Sequence, residues 1–349
     1  MNALKINKQL VGPGTSTYII AELSANHNQD FEEAVKLIKN ARYVGADAVK
    51  IQTYTPDTMT IDCRENYFQI GDGLIWKGKN LYELYKEAYT PWEWQPELKK
   101  IANNLGMDLF STPFDHTSID FLEKMDVPAY KIASFELVDI PLIKKIAKCG
   151  KPVILSTGMA TLGEIEEAVS TIREMGNGQI ALLKCTSAYP APPEEMNLRT
   201  IPHMAEYFDV PVGLSDHTLG IAVPIAAVAL GACIVEKHLT ISRSTPGPDS
   251  TFSLEPQEFK AMVDAIRITE NALGKVSYEV TKHEKTSRLY RRSFFVVRDM
   301  ALGEIFSEDN VRSIRPGHGL PPKYQDQIIG KKAKKAIKRG TPLSWDLVE

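Results

Sequence analysis

Short apolar runs of strand length alternate along this chain with longer stretches of helical period. The runs "TYIIAEL", "DAVKIQT", "MDLFST", "AYKIAS", "PVILST", "ALLKCT", "VPVGLS" and "CIVEKHL" read as eight strands. Behind the first, "FEEAVKLIKNARYVGAD" sets Phe31, Ala34, Val35, Ile38 and Ala41 on one helical face, and Gly45 suits its C-terminal stop. Similar helices run through "TSIDFLEKM", "DIPLIKKIAK", "LGEIEEAVSTIREMG" and "IAVPIAAVALGA". Eight such alternations over roughly residues 20–275 predict an α/β protein built on a (β/α)8 TIM barrel, a fold of about 250 residues. An open doubly wound sheet is the alternative, but no G-x-G-x-x-G follows the first strand.

The alternation breaks twice. Residues 55–105 exceed a normal connection and carry Trp76, Trp92 and Trp94, which predicts a loop elaborated with helices, of the kind that builds lids or subunit contacts at a barrel mouth. After about residue 280 the chain turns to short β-branched and aromatic segments separated by Gly and Pro, such as "RRSFFVVRDM" and "GTPLSWDLVE". A small β-rich module is expected there, giving domains at 1–280 and 281–349.

Charge separates the same two regions. The formal net charge is −3, yet residues 282–349 hold 15 Lys and Arg against 8 Asp and Glu, which leaves about −10 on the remainder. The basic tail lacks the interleaved aromatic residues that stacking on nucleic acid requires, so no nucleic-acid partner is expected. Cys63, Cys149, Cys185 and Cys233 are far apart and form no C-x-x-C, which argues against a disulfide scaffold or a zinc ribbon. With no signal-peptide core and no apolar run of membrane length, a cytoplasmic protein without a membrane partner is expected.

In such a barrel the strand interiors are packed, and the C-terminal strand ends project into the active-site mouth. The ends collect Glu22, Asn26, His27 and Asn28; Lys50 and Gln52; Ser111 and Thr112; Lys131, Ser134 and Glu136; Ser156 and Thr157; Lys184, Ser187 and Tyr189; Ser215, Asp216 and His217; and Glu236, Lys237 and His238. Lysines inside apolar strands ("AVKIQ", "YKIAS", "LLKCT") are costly unless they meet an anion. A phosphate, alone or with a carboxylate, would be served by Lys50, Lys131, Thr112, Ser134 and Ser156. The plainer reading pairs each lysine with Glu22, Glu136 or Glu236. His217 and His238 end consecutive strands and can face one space, which suits divalent manganese, iron or zinc acting as a Lewis acid. Glu22 is placed either for proton transfer or to neutralise a lysine. His27 reads first as a loop or helix-start residue, and Asn28 or Asp30 as a helix cap.

The ordered motifs "AELSANHNQ", "AVKIQTY", "STPF", "AYKIAS", "LSTGMA", "KCTSAYP", "GLSDHTLG", "EKHLT" and "PGPDSTFSLEP" resemble the sialic acid synthase family over nearly the whole chain. The tail, with "IRPGHGLPP" and "KKAIKRGTPL", resembles the antifreeze-like (SAF) module that closes those enzymes. The resemblance implies a carbon–carbon bond-forming transferase that joins phosphoenolpyruvate to the open-chain aldehyde of an N-acylated sugar, giving a nine-carbon 2-keto acid and phosphate. It implies His217 and His238 as ligands of a divalent ion, manganese first, with magnesium or cobalt as alternatives. Lys50, Gln52, Thr112, Lys131, Ser134, Ser156, Ser187 and Ser215 are implied to hold phosphoenolpyruvate. Glu22, Glu136, Tyr189 and Asp216 are implied to be catalytic, and Asp249 and Arg315 to bind the sugar, with Arg315 reaching the barrel of a partner in a domain-swapped homodimer. Ser187 stands where the neuraminate branch usually has asparagine, and Ser24, Ala25 and Gln29 depart from its "AEIGxNHNG". These departures resemble the pseudaminic acid branch, whose acceptor is a diacetamido trideoxy hexose, ahead of the legionaminate and neuraminate branches. Two other readings of the residues are a Schiff-base aldolase using Lys131 or Lys184 and a non-enzymatic sugar- or ice-binding protein.

Overall fold

A short hairpin, β1 (Leu4–Ile6) and β2 (Gln9–Val11), precedes eight parallel strands that close into a barrel. These are β3 (Tyr18–Glu22), β4 (Ala48–Thr53), β5 (Asp108–Pro113), β6 (Tyr130–Ile132), β7 (Val153–Ser156), β8 (Ile180–Cys185), β9 (Val212–Asp216) and β10 (Ile234–His238), with β10 paired back onto β3. The computed structural model describes residues 3–71, 76–245 and 247–349; Pro246, the first residue of the "PGPDSTFSLEP" motif, lies outside them, as do residues 72–75 of the long insertion. Every apolar run read as a strand forms one, because a parallel sheet covered by helices buries both faces and so needs near-continuous Val, Ile and Leu.

The surrounding helices are α1 (Phe31–Tyr43), α2 (Pro56–Met59), α3 (Leu81–Ala88), α4 (Gln95–Asn104), α5 (His116–Lys124), α6 (Ile140–Lys148), α7 (Leu162–Glu174), α8 (Thr200–Phe208), α9 (Ala222–Ala229) and α10 (Pro256–Leu273). Helix α1 starts at Asp30, whose carboxylate accepts the Glu32 and Glu33 N–H groups at 2.8 and 3.2 Å. Such a cap contributes about 1 kcal/mol. It buries Ala34, Val35, Leu37, Ile38 and Ala41 against the barrel, and Gly45 follows at φ 89°, which a side chain would strain. The described residues of the insertion carry α2, α3 and two 3-10 turns, the second of which runs from Trp92 to Trp94 directly into α4.

Side chains of one parity fill the barrel. Tyr18, Ile20, Ala48, Phe110, Ile154, Leu183 and Ile234 form its apolar floor. Gly213 lies among them because a Cβ there would sit 2.6 Å from Ile234 Cβ and 2.8 Å from Leu183 Cδ2. The floor is sealed from below by the hairpin, whose Leu4, Ile6 and Val11 join the same core while Asn7 donates to Asp108 and Gln9 to Asp47.

The chain divides after Gly274 into two compact units. The second holds α11 (Lys282–Ser287), an antiparallel pair, β11 (Ser293–Val296) with β12 (Val311–Ile314), and α12 (Gln325–Ile328). Isolated bridges such as Met300 to Ile337 and Ala333 to Val348 complete its β character around a core that includes Phe294, Val296, Phe306 and Leu343. Among the described residues no helix is long and apolar enough to cross a membrane.

Candidate active site

Strand register converts the polar strand ends into a ring. His238 lies opposite Glu22, Glu22 opposite Lys50, Gln52 opposite Thr112, Cys185 opposite Ser215, and Ser215 opposite Glu236. Partners across a ladder share a face, so these side chains enter one space above the apolar floor.

Two lysines and two carboxylates meet there. Lys50 Nζ is 2.6 Å from Glu22 Oε2 and 3.8 Å from Glu236 Oε2, and it donates to Thr112 Oγ1 at 3.2 Å. Lys131 Nζ donates to Ser156 Oγ at 2.5 Å and to the Ile132 carbonyl at 3.0 Å, and lies 4.0 Å from Glu236 Oε1. Glu236 also accepts from Ser215 Oγ at 2.9 Å, and Glu22 from the Ser24 N–H at 3.1 Å. All four charged groups are buried. The reading in which a lysine pairs with an internal carboxylate therefore holds for Lys50 with Glu22 and, at the longer distance, for Lys131 with Glu236. Burial pushes the Glu22 carboxyl up to about 7, helped by the like charge of Glu236 and opposed by Lys50. Glu236 shifts downward: burial works against its charge, but Lys131, Lys50 and the Ser215 hydroxyl together outweigh it. Burial lowers Lys131, helped by the like charge of Lys50 and opposed by Glu236.

Close to Lys131 and Ser156, the chain at Gly158 is tightly packed. Gly158 N–H donates to Ser134 Oγ at 3.0 Å, and a Cβ on Gly158 would stand 2.2 Å from Ser187 Oγ and 2.7 Å from Ser134 Oγ. Ser187 Oγ is buried without a hydrogen-bond partner, as is Glu136 Oε2 on the same rim. Desolvation pushes Glu136 up to about 7. These two unpaired buried polar atoms are what an anion or water would satisfy.

On the other side stand the histidines. The rings of His217 and His238 are 5.4 Å apart, with Tyr189 4.5 Å from His217 and Phe252 4.9 Å from His238. His217 Nδ1 is tied to the Thr186 carbonyl at 3.1 Å, which leaves Nε2 as its free donor atom, and His238 Nδ1 is buried with no partner. An orphaned imidazole nitrogen beside a second oriented imidazole fits a divalent ion held by two protein side chains. Among the described residues no group of three or more His, Cys, Asp or Glu is placed to hold a metal ion. Next to the pair, Asp249 accepts from the Ser24 hydroxyl, and Asn26 spans the β3 and β10 exits by donating to the Leu239 carbonyl and Ser253 Oγ, each at 2.9 Å.

Two of the expected residues face away from the mouth. Asp216 alternates with Ser215 and so faces the helices, where it pairs with Lys237 at 2.6 Å and accepts from the Thr218 N–H at 3.0 Å. Lys184 takes the side of its register partner Leu214, and its ammonium donates to the Cys185 carbonyl at 2.8 Å instead of entering the mouth. Arg315 is exposed just past β12 in the second unit. His27 is a supporting residue: its Nδ1 accepts from the Gln29 N–H and its Nε2 donates to Thr90 Oγ1, both at 3.1 Å, and burial lowers it to about 4.

This ring of strand-end lysines, carboxylates, serines and paired histidines can be set beside known proteins. The NeuB family matches residues 37–278, and the SAF domain matches residues 291–349. The chain belongs to the NeuB family. Its relatives include the pseudaminic acid synthase of Helicobacter pylori, 46% identical over 95% of this chain and 97% of the relative. Another is the pseudaminic acid synthase of Campylobacter jejuni, 48% identical over 93% of this chain and 95% of that one. Among solved structures, an N-acetylneuraminic acid synthetase of Leptospira borgpetersenii in complex with citrate superposes with a TM-score of 0.73 at 31% identity, over 82% of this chain and 95% of that chain.

Within this NeuB-family barrel, sequence reasoning missed two groups. Cys185 enters the ring, its thiol 3.9 Å from His217 Nδ1; its strand parity, the same as Ser215, was the signal. Gly158 carries no side-chain chemistry and only the packed neighbours reveal its importance.

Proposed function

We propose that this chain condenses phosphoenolpyruvate with 2,4-diacetamido-2,4,6-trideoxy-β-L-altropyranose, in its open-chain aldehyde form, and water to give pseudaminic acid and phosphate. This is the reaction of a pseudaminic acid synthase. The observation that carries the reading is the coincidence of 46–48% identity to pseudaminic acid synthases over nearly the whole chain with a buried two-lysine basin beside a histidine pair.

In this reading Lys50, Thr112, Lys131, Ser134, Ser156, Ser187 and Ser215 bind the phosphate and carboxylate of phosphoenolpyruvate, with Gln52 on the same face and Gly158 admitting the Ser134 and Ser187 hydroxyls at close range. The phosphoenolpyruvate methylene carbon attacks the acceptor aldehyde, water adds to the resulting cationic C2, and the C2–O bond to phosphate breaks. Glu22 and Glu136, both pushed up to about 7, stand in the proton-accepting and proton-donating range near neutral pH and handle the proton of the added water and of the new alkoxide. Tyr189 and Asp249 border the acceptor. Asp216, held by Lys237, positions the loop that bears His217. A divalent ion bound by His217 and His238, manganese by preference, would supply Lewis-acid polarisation of the aldehyde. The protein works as a homodimer in which Arg315 of one chain reaches the sugar site of the other, consistent with a basic tail and an acidic barrel. Its place is the cytoplasm.

The test is a manganese-supplemented assay with phosphoenolpyruvate and three acceptors in parallel: the diacetamido altrose, its legionaminate-forming counterpart and N-acetylmannosamine. Turnover with the first, with a product of pseudaminic acid mass, is expected. Turnover only with N-acetylmannosamine, or a borohydride-trapped pyruvate adduct on Lys131, would contradict the reading.

A further inference from the structure

Three rings stand over the histidine pair. Tyr189 and Phe252 come from strand exits and touch each other at 5.2 Å between centroids. The third, Trp76, comes from the insertion between β4 and α4 and lies one step further out, 5.7 Å from Tyr189. It is half-buried. Its indole N–H is spent: Nε1 donates to the Pro248 carbonyl at 2.8 Å, which pins the ring beside Asp249. Trp76 thus stands where a polar rim, Ser24 with Asp249, meets an aromatic wall, Tyr189 with Phe252. With its one donor satisfied by backbone, it offers an incoming molecule only hydrocarbon.

We infer that Trp76 is a specificity-determining residue for the acceptor sugar, its indole packing against the methyl ends of an N-acylated deoxy hexose and disfavouring a sugar that brings a hydroxyl to the same place. A hydroxyl pressed against this wall would lose its water without gaining a partner, whereas a methyl gains contact. Trp76 meets Tyr189 and the Pro248 carbonyl, whereas Lys50 and Lys131 are held by Glu22, Thr112, Ser156 and Glu236, so Trp76 is assigned to the acceptor and not to phosphoenolpyruvate. This inference rests on the proposed reaction, which places the acceptor at the histidine pair.

The experiment is steady-state kinetics of the full chain, wild type, Trp76→Phe, Trp76→Ala and Trp76→Gln, with the diacetamido altrose and with N-acetylmannosamine. The KM for phosphoenolpyruvate is recorded for each. Trp76→Ala is expected to raise the KM for the deoxy acceptor roughly ten- to hundredfold while leaving that of phosphoenolpyruvate within about twofold. Trp76→Gln narrows the kcat/KM ratio between the two acceptors, and Trp76→Phe keeps it. Parallel losses on both acceptors, or a matching rise in the KM for phosphoenolpyruvate, would make Trp76 a structural prop and overturn the inference. If Trp76→Ala fails to fold, the Phe and Gln variants decide by their acceptor ratios. No turnover by the wild type with any acceptor overturns the proposed reaction and this inference together, whereas normal wild-type turnover with an unmoved acceptor KM overturns the inference alone.

Discussion

Lys50 touches Glu22 and approaches Glu236, so an incoming phosphate or carboxylate has to compete with carboxylates already on the lysine. Protonating Glu22, whose carboxyl burial raises to about 7, frees Lys50 for that anion. Phosphoenolpyruvate KM should therefore rise as pH passes upward through about 7, and Glu22→Gln should flatten that rise while lowering kcat; a Gln variant with the wild-type profile would contradict it. His27 gives a stability window of opposite origin. Its folded value near 4 lies below the ordinary 6.5, so the unfolded chain binds more protons between them. Its contribution is complete above about pH 6.5 and is lost as pH falls toward 4, about 3 kcal/mol in all. Urea unfolding at several pH values should show that loss in the wild type and not in His27→Gln. Glu22, Lys50, Lys131 and His238 were legible in the sequence because charged residues break apolar strands at their ends. Asp216 and Lys184 were misplaced for a simple reason: adjacent residues of a strand face opposite ways, and listing strand ends ignores that alternation.

The elements that position the site do so in pairs. The buried Lys237–Asp216 bridge links β10 to the end of β9, one residue from each histidine. Lys237→Met leaves Asp216 charged and unpaired in a dry setting, which should cost about 3–5 kcal/mol. The double variant Lys237→Met with Asp216→Leu should recover much of this in denaturant titration while manganese affinity stays weakened, since the tie between the two histidine-bearing segments is gone. A double variant with wild-type manganese affinity would show that the bridge serves stability only. The N-terminal hairpin is another such element, and the apolar pattern did not reveal it because three-residue strands are too short to show a period. Ile6 is fully buried in the barrel floor, so Ile6→Ala should lose roughly 2–5 kcal/mol in unfolding while leaving both substrate KM values unchanged. A shift in either KM would mean that the floor transmits strain to the mouth. The eight barrel strands were readable because each is buried on both faces, and the close packing at Gly158 was not, because its meaning lies in Ser134 and Ser187 from other strand exits.

At the scale of the whole molecule, an acidic barrel unit and a basic C-terminal unit are joined by one chain, and the proposed dimer makes a site that one chain does not complete. Mixing a His217→Ala chain with an Arg315→Ala chain should restore activity toward about a quarter of the wild-type level, as random pairing leaves some sites with an intact barrel facing an intact arginine. No recovery from a mixture that demonstrably exchanges subunits would place Arg315 outside the partner's site. In the proposed reaction the ringed basin joins phosphoenolpyruvate to an acceptor with cleavage of the C2–O bond. Phosphoenolpyruvate labelled with heavy oxygen at its bridging position tests it most directly. Turnover is expected to depend on the acceptor, with the label leaving wholly in the phosphate and one phosphate released per keto-acid product. Label retained in the keto acid, or phosphate released without acceptor, would contradict it.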